Sequence, residues 1–223
     1  MSAVEPAGEG EAQNGPRSRK GVQTRARLLD AAKEIFEENG FLEARISDIA
    51  ERAGLSHGAF YHYFDSKEQV FREVAETLDD QLAEPMESVI FAPRSSAAPR
   101  ERLFTALLRH LERYRDEARI MGVIEQVARY DEHVAAVRSA RSKGHREEIE
   151  ASIRGLQRRG LTDAALDPKI AAAALASMVE RFAEMWLAQG QLDCTLDDAA
   201  ETLARLFVNA LQLKEAPARR FRT

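Results

Sequence analysis

Residues 57–67, HGAFYHYFDSK, crowd together two imidazoles and two phenols, those of His57, Tyr61, His62 and Tyr63, and end on the ammonium of Lys67. Such groups offer hydrogen-bond donors with little fixed charge, chemistry that suits phosphate oxygens and base edges in a nucleic-acid groove. Phe60 and Phe64 stand four apart and can take the buried stripe of a short helix, which leaves His57, Tyr61 and His62 on its other faces. The plainer alternative is that these aromatics are core residues of an ordinary helical hairpin.

Catalytic chemistry has less to stand on. The five histidines, His57, His62, His110, His133 and His145, accompany no serine or cysteine nucleophile in a recognisable elbow. Cys194 has no neighbouring base and reads as a small, inert residue near a helix start. Glu125, Asp131 and His133 are metal-ligating types, but their spacing fits no signature. We therefore expect no enzyme, no metal and no cofactor.

Two short helical patterns must position the aromatic cluster. Ile46, Ile49, Ala50 and Ala53 recur at helical spacing, Gly54 supplies a backbone that turns freely, and Ser56 can cap a second helix. This is the pattern of a helix-turn-helix. Upstream, a first helix from Thr24 carries Leu28, Ala32, Ile35 and Phe36 on one face and closes at Asn39 and Gly40, after which Phe41 packs back. Downstream, Ser66, Lys67, Glu68 and Gln69 form a capping box that opens a fourth helix with Val70, Phe71, Val74, Leu78 and Leu82 inward.

Over residues 24–79 the chain resembles the DNA-binding domain of the TetR family of one-component transcriptional regulators. The resemblance rests on TRARLLDAAKEIFEENGF, ISDIAERAGLSHGAFYHYF and SKEQVF, and covers about the first third of the chain. It implies an all-α protein of about nine helices, with an N-terminal three-helix helix-turn-helix DNA-binding domain and a C-terminal helical ligand-binding and dimerisation bundle. It also implies that His57, Gly58 and Ala59 face the major groove, with Ser56 capping their helix, and that Tyr61 and His62 bond phosphates. Lys67 would add a charged contact, and Tyr63 would bring its hydroxyl to the backbone from a half-buried ring. Two positions depart from the family's pattern: Arg45 and Ala59 stand where many relatives carry Thr or Ser. Arg45 removes an expected cap, although its charge can replace the phosphate bond.

Composition sets the limits. A chain of 223 residues can hold a small domain and a larger one. No apolar run approaches a membrane span, the N-terminus lacks the basic-then-apolar order of a secretory signal, and one cysteine cannot form an internal disulfide, so a cytoplasmic location is expected. A formal charge of −5 argues against wholesale coating of nucleic acid but leaves room for a local reader, since Arg17, Arg19, Lys20, Arg25 and Arg27 gather at one end. The basic segment RSRKGVQTRAR is either an arm along the DNA or a solvated linker.

The expected domains are a disordered tail at 1–20, the DNA-binding domain at 21–81, the C-terminal domain at 82–213 and a tail at 214–223. A loop is expected at 91–99, where FAPRSSAAP breaks periodicity with proline. Beyond it, Leu103, Leu107, Leu108 and Leu111 line one helix and Ile120, Val123, Ile124 and Val127 a shorter one. A long helix from about Asp131 runs to Gly160, and two more open at Asp167-Pro168 and at Thr195 with Asp198. In the family, the last two long helices pack against their twins in a four-helix dimer interface.

Phe104, Leu108, Met121, Ile124, Val127, Tyr130, Met178, Phe182 and Trp186 are the expected lining of an effector pocket, with Glu125, Gln126, Arg138 or Arg141 as polar anchors. Each of the apolar residues also reads as plain core. The functional expectation is a repressor that binds a palindromic operator in double-stranded DNA as a homodimer and is released by a small lipophilic effector. A helical small-molecule carrier or adaptor that no longer reads DNA is the alternative.

Overall fold

The computed structural model describes residues 19–82 and 99–214; the expected tails lie outside these residues except for Arg19 and Lys20, which are helical, and Lys214, the expected loop at 91–99 lies outside them except for Pro99, which opens a helix, and the side chain of Leu82 lies outside them too. Among the described residues all regular structure is helical. The elements are α1 (Arg19–Glu43), α2 (Ile46–Arg52), α3 (His57–Phe60), α4 (Lys67–Leu82), α5 (Pro99–Asp116), α6 (Ala118–Val127), α7 (Glu132–Arg158), α8 (Pro168–Ala183) and α9 (Leu196–Ala210). Among the described residues these are nine α-helices, in keeping with the all-α plan of about nine helices that the sequence implies. No described helix is long and apolar enough to cross a membrane.

The chain divides into two compact units between Glu73 and Val74, so the division falls inside α4. In the first unit Leu28, Ala32, Ile35 and Phe36 are buried along α1 as their spacing requires. Phe36, Phe41 and Phe71 close that core as an aromatic cluster, with centroid separations of 5.8 Å for Phe36 to Phe41 and 4.9 Å from each of them to Phe71. Helix α1 begins at Arg19, earlier than Thr24, so the basic segment is helical from there on. Lysine, arginine and glutamine are good helix formers, and the Thr24 hydroxyl donates to the Lys20 carbonyl at 3.0 Å. At Gly40 the backbone turns to φ 70°, the left-handed conformation that ends the run. The box before α4 is half formed as expected: Gln69 N donates to Ser66 Oγ at 3.1 Å, but the Gln69 side chain accepts from Asp65 N instead of Ser66 N.

The second unit is a bundle. α9 packs on α5, α7 packs on α8, and α6 lies against α5, α7 and the end of α8. Carboxylates and a hydroxyl start its helices: Asp131 accepts from His133 N and Val134 N, Asp167 from Lys169 N and Ile170 N, and Thr195 from Asp198 N. Ala172 and Ala176 are buried where α7 and α8 meet, and their small side chains permit that approach. From Glu184 to Ala188 helix α8 widens into a π turn, in which Gln189 N reaches back five residues to Glu184 O at 3.0 Å. Nothing in the composition signals this widening.

Candidate nucleic-acid interface

The turn between α2 and α3 follows from Gly54. Its φ of 67° lets Gly54 N donate to Glu51 O at 2.9 Å and Leu55 N to Ala50 O at 2.8 Å, the paired bonds of a Schellman ending. Arg27 fastens the turn from below by donating to the Ala53 carbonyl. Its guanidinium lies 3.0 Å from the place a Cβ on residue 54 would occupy, so this position accepts glycine for space as well as for φ.

Ser56 then caps α3, accepting from Ala59 N at 3.2 Å. The helix itself is a single turn, and residues 61–63 continue it as a hydrogen-bonded turn, with Tyr63 N on Phe60 O at 2.9 Å. Phe60 and Phe64 are fully buried, 5.7 Å apart. His57, Gly58, Tyr61 and His62 are exposed, whereas Ala59 and Tyr63 are half-buried. The His57 and Tyr61 rings meet edge to face at 5.4 Å, so the exposed aromatics brace one another. A Cβ at Gly58 would meet nothing within 4 Å, which shows that its missing side chain serves no internal packing. Arg45 is exposed in extended backbone at the start of α2 and makes no side-chain cap, as its type dictates.

Much of the nearby positive charge is spent inside the unit. Arg25 pairs with Glu73 and lies 4.6 Å over the Phe64 ring, where burial lowers its guanidinium from its ordinary value. Arg52 bonds Glu34 at 2.7 Å and Glu38 at 2.8 Å; its hydrogen bond to Glu38, then that to Glu34, raises its guanidinium, and the same bond holds Glu38 below the usual carboxylate range. Lys67, expected at a phosphate, places its ammonium 2.7, 3.1 and 3.0 Å from the carbonyls of Phe41, Leu42 and Ala44 and 4.7 Å over the Phe41 ring. Its three donors satisfy the orphan carbonyls at the end of α1, and the position just after the motif gives no hint of this. The fastening roles of Arg25, Arg27 and Arg52 are likewise invisible in a count of charges.

The second unit contains a cavity of about 290 Å³ between four helices. α5 contributes His110 and Tyr114, α6 Met121 and Glu125, α7 Arg138, Arg141, Ser142 and His145, and α8 with its π turn Ser177, Glu180, Arg181 and Glu184. Of the nine residues expected to line an apolar pocket, only Met121 does so. Ile124, Val127 and Trp186 are buried in the core, Tyr130 is 60% exposed, and Phe104, Leu108, Met178 and Phe182 are not in the lining of this cavity. The expected anchors fare better, since Glu125, Arg138 and Arg141 line the cavity and Gln126 does not. The three possible metal ligands are engaged separately: Glu125 pairs with Arg138, Asp131 caps α7, and His133 Nε2 lies 2.8 Å from Glu76.

Burial foremost, with His145 and Arg141 beside it, pushes the His110 imidazole down to about 4. Because the folded value lies below the unfolded one, His110 contributes stability that is fully present above about pH 6.5 and is lost as pH falls toward 4, at most about 3 kcal/mol. Chemical denaturation at pH 7 and pH 4.5 will show a smaller loss for the second unit in His110→Asn than in the parent chain.

The comparisons with known proteins fall on these same elements. Residues 28–74 match the model for bacterial regulatory proteins of the tetR family. YdgC, an HTH-type transcriptional regulator of Bacillus subtilis, is 39% identical over 71 residues, which make up 32% of this chain and 36% of that protein. UidR, an HTH-type transcriptional regulator of Escherichia coli, is 40% identical over 74 residues, covering 30% of this chain and 37% of its own length. The chain thus spans little more than a third of the curated relatives it matches. The structure of the fatty acid degradation regulator FadR from Bacillus halodurans superposes with a TM-score of 0.68 at 18% identity, over 89% of this chain and all of that one. The first unit is thus similar in sequence to bacterial regulatory proteins of the tetR family, and the chain shares its fold with a solved fatty acid degradation regulator.

Proposed function

We propose that the chain is a transcriptional regulator that binds a palindromic operator in double-stranded DNA as a homodimer, acts as a repressor, and is released by a small molecule held in the cavity of the second unit. The observation that carries this reading is the outward set His57, Gly58, Tyr61 and His62, displayed on a capped turn of helix whose inner side is Phe60 and Phe64. Donors exposed on one face and a backbone open at Gly58 are what a major groove and its flanking phosphates require. In this reading Arg45, which is exposed, and Tyr63, which is half-buried, add phosphate contacts at the edges of that face.

A mobility shift on DNA flanking the chain's own gene tests the reading. Replacing Tyr61 and His62 together by alanine removes two phosphate bonds and weakens binding about 10- to 100-fold on every sequence, and unchanged affinity would discard the assignment.

One short helix reads only a few base pairs, so a two-fold pair of heads supplies the remaining affinity. Ile170 on α8 and Leu206 on α9 are 70% and 45% exposed, large apolar side chains on the two helices expected at the dimer interface. Leu206→Glu should shift the sedimentation profile from dimer to monomer at micromolar concentration without loss of helix. A persistent dimer would remove α9 from the interface. Release follows if the effector binds better to the conformation whose heads are wrongly spaced for the operator.

A further inference from the structure

The cavity in the second unit is lined mainly by polar and charged side chains, not by the apolar ones expected from the sequence. Its wall charges answer one another: Glu125 pairs with Arg138, Arg181 lies 2.8 Å from Glu184, and His145 Nδ1 stands 3.8 Å from Glu180. Burial would raise the Glu180 carboxyl, yet the bond from His145, with Ser142 and Arg141, holds it below its ordinary value. Apart from Nη1 of Arg138, which is ion-paired with Glu125 but makes no hydrogen bond, the polar atoms the wall leaves unanswered are neutral. The Tyr114 hydroxyl belongs to a side chain only 5% exposed and has no hydrogen-bond partner, and the same holds for the buried Nε2 of His110, one helical turn earlier on α5. Burial first, then Glu125 and Glu184, pushes the Tyr114 phenol up to about 12, and the His110 imidazole lies near 4, so at neutral pH both are uncharged.

Tyr114 and His110 both line the cavity, and orphaned buried polar groups cost free energy that a matching ligand reaching them recovers. A ligand hydroxyl both donates and accepts, so it satisfies the Tyr114 O–H and His110 Nε2 whichever tautomer the imidazole adopts. A carboxylate or an ammonium would find its counter-charges already paired. An acyl chain would find Met121 as the one aliphatic side chain on the wall. The volume is close to the lower end for small-molecule sites, roughly 300 Å³. The π turn that starts at Glu184 lies on the same wall, a local widening that often marks a functional site.

We propose that this cavity binds a small, uncharged, hydroxyl-bearing ring compound or polyol, with Tyr114 and His110 as its hydrogen-bonding partners. The proposal rests on the reading of the cavity as the effector site. Calorimetric titration of the full chain with resorcinol, glucose, xylitol, benzoate and decanoate tests it. At least one of the three neutral hydroxylated probes binds at a single site, and benzoate and decanoate bind at least about 10-fold more weakly. Binding of resorcinol alone assigns a phenol, and binding of glucose or xylitol alone assigns a carbohydrate or polyol. Tyr114→Phe keeps the ring and lowers affinity for the bound probe about 10-fold, with His110→Gln as a second variant should the first fold poorly.

Decanoate or benzoate binding most tightly, no neutral probe binding at about 10 mM, or unchanged affinity in both variants would overturn the proposal. Anisotropy with operator DNA separates this from the functional reading. Probe binding that leaves DNA affinity unchanged discards the effector role and keeps the site, whereas DNA binding without any probe binding discards the site alone.

Discussion

Alanine in place of Phe60 is expected to cost the first unit about 3–5 kcal/mol, a large fraction of the stability such a unit has. Phe60 is fully buried, 5.7 Å from Phe64 and 5.5 Å from the Tyr61 ring, at the point where α3 meets the core. Truncation leaves a cavity under a helix of four residues, too short to hold its shape by its own hydrogen bonds. Tyr61→Ala, in contrast, removes a ring that is 48% exposed and is expected to change stability by no more than about 0.5 kcal/mol. Denaturant unfolding followed in the first unit distinguishes the two. Equal and small losses would mean that the aromatic stripe is not the support of the exposed face.

Lys67→Met is expected to destabilise the first unit by about 2 kcal/mol, because three carbonyls at the end of α1 lose a charged donor and only partly regain water. The same substitution distinguishes the two roles open to this residue. If Lys67 holds α1 in place, the slope of log affinity against log salt for DNA is unchanged once the variant is folded. If it touches a phosphate, that slope falls by about 1 per head. We expect the first outcome, read by anisotropy across a salt series alongside thermal unfolding.

The reading head was legible because its signals are local. Gly54, Ser56 and the spacing of Ile49, Ala50, Phe60 and Phe64 each act within a few residues, and φ at Gly54, the Ser56 cap and the buried phenylalanines follow from them. Lys67 and Arg27 were not legible, since each acts across 23 to 26 residues of chain on a backbone carbonyl, a group every residue carries. The lining of the cavity was not legible for a related reason. Its wall is assembled mainly from polar and charged residues on four helices, and each such residue, taken alone on its helix, reads as part of a solvated face. The apolar residues expected there obey the ordinary rule for helical spacing and fill the core instead, as Ile124, Val127 and Trp186 do. The π turn has no compositional mark, and the early start of α1 shows good helix formers outweighing a single Gly21.

Hydroxyl-radical footprinting of the protein on DNA flanking its own gene tests the central claim most directly, because it reports both the contact and its symmetry. Two protected patches related by a two-fold axis are expected, their centres about 10 base pairs or a multiple of that apart, and both lost in the variant with alanine at Tyr61 and His62. Absence of protection on that DNA, or protection that survives the double substitution, would contradict it.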